Sequence, residues 1–198
     1  MKLRNYILGL LLVHTSCSPE NRITQPSELY GRSSGKQKVT MSEGLEWNKN
    51  RKLNWSDFKC ELPTDAKNLA ATTHCGFGYR SNGIGIFGRP HIEVKNIFYP
   101  ELSWVRNEEA NRPGLLEHEQ LHFDISEIYA RRLRLKLSSA KLNYFNAKRK
   151  SEAIFKEVYE QYLQRQKTYE EQTEFSLNNK SQKEWGKMIH NELESTSH

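Results

Sequence analysis

Long apolar runs are missing from this chain of 198 residues. Nothing in it approaches the about 18 consecutive apolar residues of a spanning helix, which excludes a helical integral membrane protein. Cysteine is scarce, and 3 residues are too few for a fold stapled by disulfides. The 11 glycines follow no Gly-X-Y period and heptads are not sustained, so collagen-like and purely coiled-coil chains are excluded as well. Charge of one sign is in only slight excess, with 30 Lys+Arg against 24 Asp+Glu. Arg131-Arg132 and Lys148-Arg149-Lys150 sit among acids and apolar residues on helical stretches without an aromatic platform. They read as solvated helix faces, and nucleic acid is not an expected partner. With 36% apolar residues and a mean hydropathy of −0.83, what remains is one modest globular domain, or one domain with a tail.

Residues 1–17 have the form of an export signal: Lys2 and Arg4, an apolar run from Tyr6 to Val13, then small residues before Cys17. A cysteine closing so short an apolar run looks like the lipidation site of a bacterial lipoprotein, although His14 stands where an aliphatic residue is usual. On this reading the mature chain starts at Cys17, lipid holds it to a membrane of the cell envelope, and the domain faces the periplasm or the cell surface from the outer membrane. Loss of Lys2 and Arg4 lowers the net charge from +6 to about +4, too mild to dictate a polyanionic partner. With Cys17 assigned to lipid, Cys60 and Cys75 form an even pair. Bridged, they would close about 15 residues and stabilise the domain by on the order of 3 kcal/mol.

Residues 18–41 are rich in Ser, Gly, Gln and Lys without periodicity and read as a flexible tether, leaving 42–198 as the folded domain. Its first part favours strands: Trp47, Leu53 to Phe58, a hairpin from Gly76 to Phe87 around Asn82-Gly83, and Ile92 to Val105. Gly83, Gly85 and Gly88 do not make a dinucleotide loop, because Pro90 interrupts and no helical pattern follows. Past Pro113-Gly114 the period changes to 3.6, predicting helices over about 108–137, 139–170 and 181–194. Leu142, Phe145, Phe155, Val158, Tyr159 and Tyr162 supply the core face of the second. The expected class is α+β, a small strand-rich N-terminal half packed on a C-terminal helical half.

Within the first of these helices, His118-Glu119-Gln120-Leu121-His122 is an HExxH motif. Two histidines one turn apart present their imidazoles to a common point, as two ligands of a tetrahedral Zn²⁺ must. The glutamate beside them is placed to act as general base on water whose pKa zinc lowers to about 7, and to pass the proton to a departing amine. At about 100° per residue, Leu115, Leu121, Ile125, Ile128 and Tyr129 share an arc with both histidines, which therefore point inward, while Gln120, Asp124, Glu127 and Arg131 lie opposite. Glu127 falls about 140° from His122 and Asp124 about 120° from His118, so neither joins them on one ion. Glu127 pairs more naturally with Arg131 at i,i+4. The third ligand must come from elsewhere: a carboxylate in 169–175, His74 or His91.

The segment 115–133, LLEHEQLHFDISEIYARRL, resembles the core of a bacterial family of secreted proteins taken to be zinc-dependent proteases, the domain of unknown function 922. The resemblance extends to Ser103-Trp104-Val105, Leu53 to Phe58, Ala70 to Thr73, and Tyr169 to Ser176 with Gln182 and Trp185. It implies a fold of zincin type, His118 and His122 as metal ligands, Glu119 as general base, Zn²⁺ as cofactor, and a peptide or protein as substrate. The family's last motif reads Tyr-Asp-x-x-Thr-x-His, where this chain has Glu170 and Phe175. A ligand set that needed that histidine would have to be completed here by Glu170, Glu171 or Glu174. Tyr129 and Tyr169 are the candidate oxyanion partners. A non-catalytic envelope lipoprotein, using the same fold as a binding or assembly module, is the alternative that Phe175 favours.

Overall fold

The computed structural model describes residues 44–196, apart from 65, 67–68 and 83–89. The leader at 1–17, Cys17 and the tether at 18–41 lie outside the described residues. A three-stranded antiparallel sheet is ordered β1-β4-β3, with β1 at Leu45–Glu46, β3 at Cys75–Asn82 and β4 at His91–Phe98. A two-stranded pair, β2 at Ala71–Thr72 and β5 at Trp104–Val105, sits beside it. Three helices follow: α1 at Leu115–Ser139, α2 at Ala147–Thr173 and α3 at Asn179–Ser195. The class is α+β as expected. Among the described residues no helix is long and apolar enough to cross a membrane.

Alternation decides the sheet. Phe77 and Tyr79 of β3 lie opposite Asn96 and Val94 of β4, and this face packs against the helices. Asn96 is wholly buried there, with both ends of its amide used: Nδ2 donates to the Phe123 carbonyl at 3.3 Å and Oδ1 accepts from Ser126 Oγ at 2.7 Å. A buried amide so satisfied fixes the register between sheet and α1 without an unpaired polar atom. The hairpin expected around Asn82-Gly83 starts in β3, but its partner strand is β4, with Asn82 opposite His91. The segment Leu53 to Phe58 is not a strand. Asn54 accepts from Ser56 N at 3.0 Å while Asp57 accepts from Asn54 N at 3.0 Å, a reciprocal cap that winds Trp55–Asp57 into a single 3-10 turn and overrides β propensity.

α1 begins seven residues later than expected, because Gly114 at φ 82° turns the chain into the helix immediately after Pro113. It is the central element and is buried on nearly every side. Besides the apolar arc, Gln120, Asp124 and Glu127 of the opposite arc are covered. Trp47 Nε1 donates to Asp124 at 2.7 Å, and Leu53 N donates to Gln120 at 2.7 Å. Glu127 accepts from Arg131 at 3.0 Å, the expected i,i+4 pair, and from Arg134 at 2.9 Å. In α2, Phe155, Val158, Tyr159 and Tyr162 are core as expected, whereas Phe145 precedes the helix and is 87% exposed.

The expected bridge between Cys60 and Cys75 does not form, since Cys75 is free. Cys75 opens β3 on the face that carries Phe77, and its thiol reaches Tyr162 and Ser126 beneath the helices. Burial pushes that thiol up to about 12. Cys60 lies in the loop ahead of β2, its backbone N–H on the Ser103 carbonyl at 3.0 Å. Cys60 is itself engaged in a disulfide, so it is not available to Cys75.

Candidate metal centre

His118 and His122 lie in the first two turns of α1, and Glu170 lies one turn from the end of α2. The two helices form an antiparallel hairpin, so the start of one meets the end of the other. There Glu170 completes a group with both histidines, all three buried and with ligand atoms within 4.8 Å of one another. His122 Nε2 is 3.0 Å from Glu170 Oε1, His118 Nε2 is 3.5 Å from Oε2, and the two Nε2 atoms are 3.2 Å apart. Ligand atoms at the usual zinc distance and tetrahedral angles stand about 3.3 Å apart. The donor set therefore fits a single Zn²⁺ without rearrangement.

Proton placement points the same way. Gln166 Nε2 donates to the His122 carbonyl at 3.0 Å, which fixes Oε1 as the atom facing His122 Nδ1 at 2.6 Å. An amide oxygen only accepts, so Nδ1 carries a proton, and Nε2 faces the centre, where loss of its own proton would expose a lone pair. His118 is held likewise, its Nδ1 lying 2.8 Å from the Tyr169 hydroxyl and 3.1 Å from Gln182 Oε1. Partners of this kind on the far nitrogen are what orient ligating imidazoles. Glu170 Oε2 and Gln182 Nε2 are buried without a hydrogen-bond partner, so polar capacity at the centre remains unused. Burial opposes charge on both members of the His122–Glu170 pair, yet their mutual attraction prevails: His122 is raised to about 9 and Glu170 lowered to about 2.

The other candidates fall away on position. His74 is half-buried with its backbone N–H on Ser103 Oγ at 2.9 Å, and His91 is exposed at the start of β4. Neither belongs to the group. Glu171 and Glu174 are exposed, Glu171 facing Lys167 at 3.7 Å. Asp124 and Glu127 are occupied as described, in line with the helical projection. Phe175 is 51% exposed and is the middle of three successive residues, Glu174, Phe175 and Ser176, with φ of 49°, 55° and 71°. This left-handed run ends α2, and Arg112 donates to Ser176 Oγ at 2.7 Å, tying it to the loop before α1. Phe175, where the resembling motif has histidine, is thus on the surface, and a group that could hold a metal forms without it.

Glu119 is buried between the ligands in sequence, and among the described residues no hydrogen bond or ion pair engages its carboxylate. The Tyr169 ring stacks on His118 at 4.8 Å, with its hydroxyl committed to the Nδ1 edge. That hydroxyl also donates to Gln182 Oε1 at 2.9 Å, so Tyr169 orients His118. Tyr129 lies about 10 Å along α1 from His122, with Arg132 over its ring at 4.6 Å.

Sequence reasoning left Glu170 as one of several carboxylates and missed the role of Gln166. Periodicity contains both. Gln166, Tyr169, Glu170 and Thr173 continue the stripe of Phe155, Val158, Tyr159 and Tyr162, and all are buried, whereas Glu171 and Glu174 fall out of phase. Gln182 is similarly in phase with Trp185, Ile189 and Leu193 on α3.

Residues 103–176 match the model of a family described as "Bacterial protein of unknown function (DUF922)", a stretch that includes β5, both histidines, Glu119, Gln166 and Glu170. No curated protein and no solved structure matches the chain.

Proposed function

We propose that this chain is a zinc-dependent metallohydrolase acting on peptide bonds, held to the bacterial envelope by lipid at Cys17. The observation that carries the reading is the meeting of His118, His122 and Glu170 with both Nε2 atoms turned toward one point. Zinc held by these three would supply Lewis acidity, polarising a carbonyl and bringing the deprotonation of water near neutral pH. The chain supplies the rest. Glu119, next to His118 and with its carboxylate unengaged among the described residues, accepts the proton of the attacking water and returns it to the departing amine. Gln166, Gln182 and Tyr169 hold the imidazoles in one tautomer throughout.

Elemental analysis of the purified protein alongside His118→Ala tests the metal centre: about one zinc per chain, lost in the variant, is expected. No zinc in folded wild type, even after adding it back, would sink the reading. A peptide screen with Glu119→Gln as control then tests catalysis, since the variant should keep metal and fold and lose turnover.

One observation favours the alternative of a non-catalytic module. Glu119 is only 4% exposed, and a groove of about 520 Å³ beside Arg132, Arg165 and Trp185 is lined by none of His118, Glu119, His122 and Glu170. On that reading the metal would be structural, and Glu119→Gln would leave every function intact.

A further inference from the structure

The end of the α1–α2 hairpin opposite the metal centre is built differently from the rest of the surface. Phe145 is 87% exposed, Leu135 70% and Tyr144 54%, and the two rings meet edge to face at 5.4 Å. The tip is held rather than loose. Asn143 Oδ1 accepts from Phe145 N and Asn146 N, each at 3.0 Å, while Asn146 Oδ1 accepts from Asn143 N at 3.0 Å. This reciprocal Asx turn keeps Phe145 projecting into solvent.

Around the aromatics the charge has one sign. No Asp or Glu occurs from residue 128 to 151. Arg131, Arg132, Arg134 and Lys136, farther back on α1, are neutralised by Glu127, Glu192 and Glu157. Lys141, Lys148 and Arg149 at the tip are exposed, and among the described residues no acidic group pairs with them. Lys148 and Arg149 lie on a solvated helix face as the sequence suggested, and the fold sets that face beside a protruding apolar knob.

We propose that this tip is a docking surface for an anionic lipid membrane, with Phe145 and Tyr144 entering the interface and Lys141, Lys148 and Arg149 meeting the headgroups. Charge complementarity selects the anionic leaflet. The convex apolar tip selects lipid over nucleic acid, because the two rings stand perpendicular at the end of a helical hairpin and form no groove or parallel stacking platform. The inference stands apart from the metal centre. Docking would hold His122 at about 26 Å from the end of α1, with the metal end of the hairpin turned away from the bilayer.

The test uses the full chain carrying Cys17→Ser, so that no acyl chain on that thiol contributes. Its binding is measured to vesicles of phosphatidylcholine with about 30% phosphatidylglycerol and to pure phosphatidylcholine, in about 0.1 M salt. At about fivefold per charge, Lys148→Ser with Arg149→Ser should weaken binding to the anionic vesicles about 25-fold. Phe145→Ser should weaken it about tenfold, with far-ultraviolet dichroism unchanged because Phe145 is 87% exposed. A Phe145→Trp reporter, read against the 4 native tryptophans, should be quenched by brominated anionic lipid. Because the apolar leader can bind vesicles by itself, the tip-specific readouts decide. Equal binding by wild type and tip variants, or an unquenched reporter, overturns the proposal. So does an affinity for duplex DNA equal to that for anionic vesicles with Phe145→Ser neutral in both, which would mark a plain polyanion patch.

Discussion

Replacing Glu170 with glutamine keeps the length and shape of the side chain while removing its charge, and so isolates what the carboxylate contributes to the metal centre. Four-ligand structural zinc sites bind with about 10–16 kcal/mol, or about 3–4 kcal/mol per ligand. An amide oxygen retains part of the donor function, so Glu170→Gln should cost about 2–3 kcal/mol, a rise in Kd of about 30- to 150-fold. The pH of the measurement matters. Below the His122 pKa of about 9 the metal must displace a proton that Glu170 itself stabilises, because Glu170 Oε1 lies 3.0 Å from His122 Nε2. Removing Glu170 relieves that competition, so the contrast is largest near pH 9 and shrinks toward pH 7. Zinc competition against a chelator at both values, with Glu171→Gln as a control that should change nothing, reads the effect. Equal affinities for wild type and Glu170→Gln at pH 9, with His118→Ala abolishing binding, would show that Glu170 is not the third ligand.

Three further outcomes follow from the same geometry. Zinc loading at pH 7 should release about one proton per chain, and affinity should rise up to about tenfold per pH unit until about pH 9 and then level, because His122 is protonated below its raised pKa and Glu170, lowered to about 2, holds no proton. Calorimetry in two buffers of different ionisation enthalpy measures this, and no proton release would contradict the coupled pair. Gln166→Leu removes both the acceptor at His122 Nδ1 and the donor to the His122 carbonyl, and should weaken zinc binding about 10- to 100-fold while the dichroism spectrum is kept. Cys75 should resist iodoacetamide at pH 8 in the native protein and react in denaturant without reductant. A Cys75 that stays unlabelled until reductant is added would restore the bridge to Cys60.

The sequence made the helical half legible because three long 3.6-residue patterns needed only a partner surface. It placed His118, Glu119 and His122 because one helix supplies the whole spacing. What it could not carry is the depth at which a helix lies: the opposite arc of α1 looks like a solvent face, yet Trp47 and Leu53 cover it and bond to Asp124 and Gln120. The 3-10 turn at Trp55–Asp57 escaped because aromatic content outweighed an Asn54–Asp57 cap that was present in the letters. Cys75 was misassigned because pairing by count does not say which cysteine stays free. Glu170 was narrowed but not chosen, although its phase with Tyr162 and Gln166 marks it as the inward carboxylate of its stretch.

Neutral partners on the far nitrogens of both histidines set the total charge of the buried centre. Gln166, Gln182 and Tyr169 add none, burial holding the Tyr169 phenol well above its usual range. With both carboxylates ionised, Glu119 and Glu170 bring two negative charges and the imidazoles bring none. A divalent cation cancels that sum, while a lone proton on His122 leaves one negative charge in the interior. Valence, as much as geometry, thus disfavours a monovalent occupant, and a carboxylate in place of Gln166 or Gln182 would tip a loaded centre into net negative charge beneath α2.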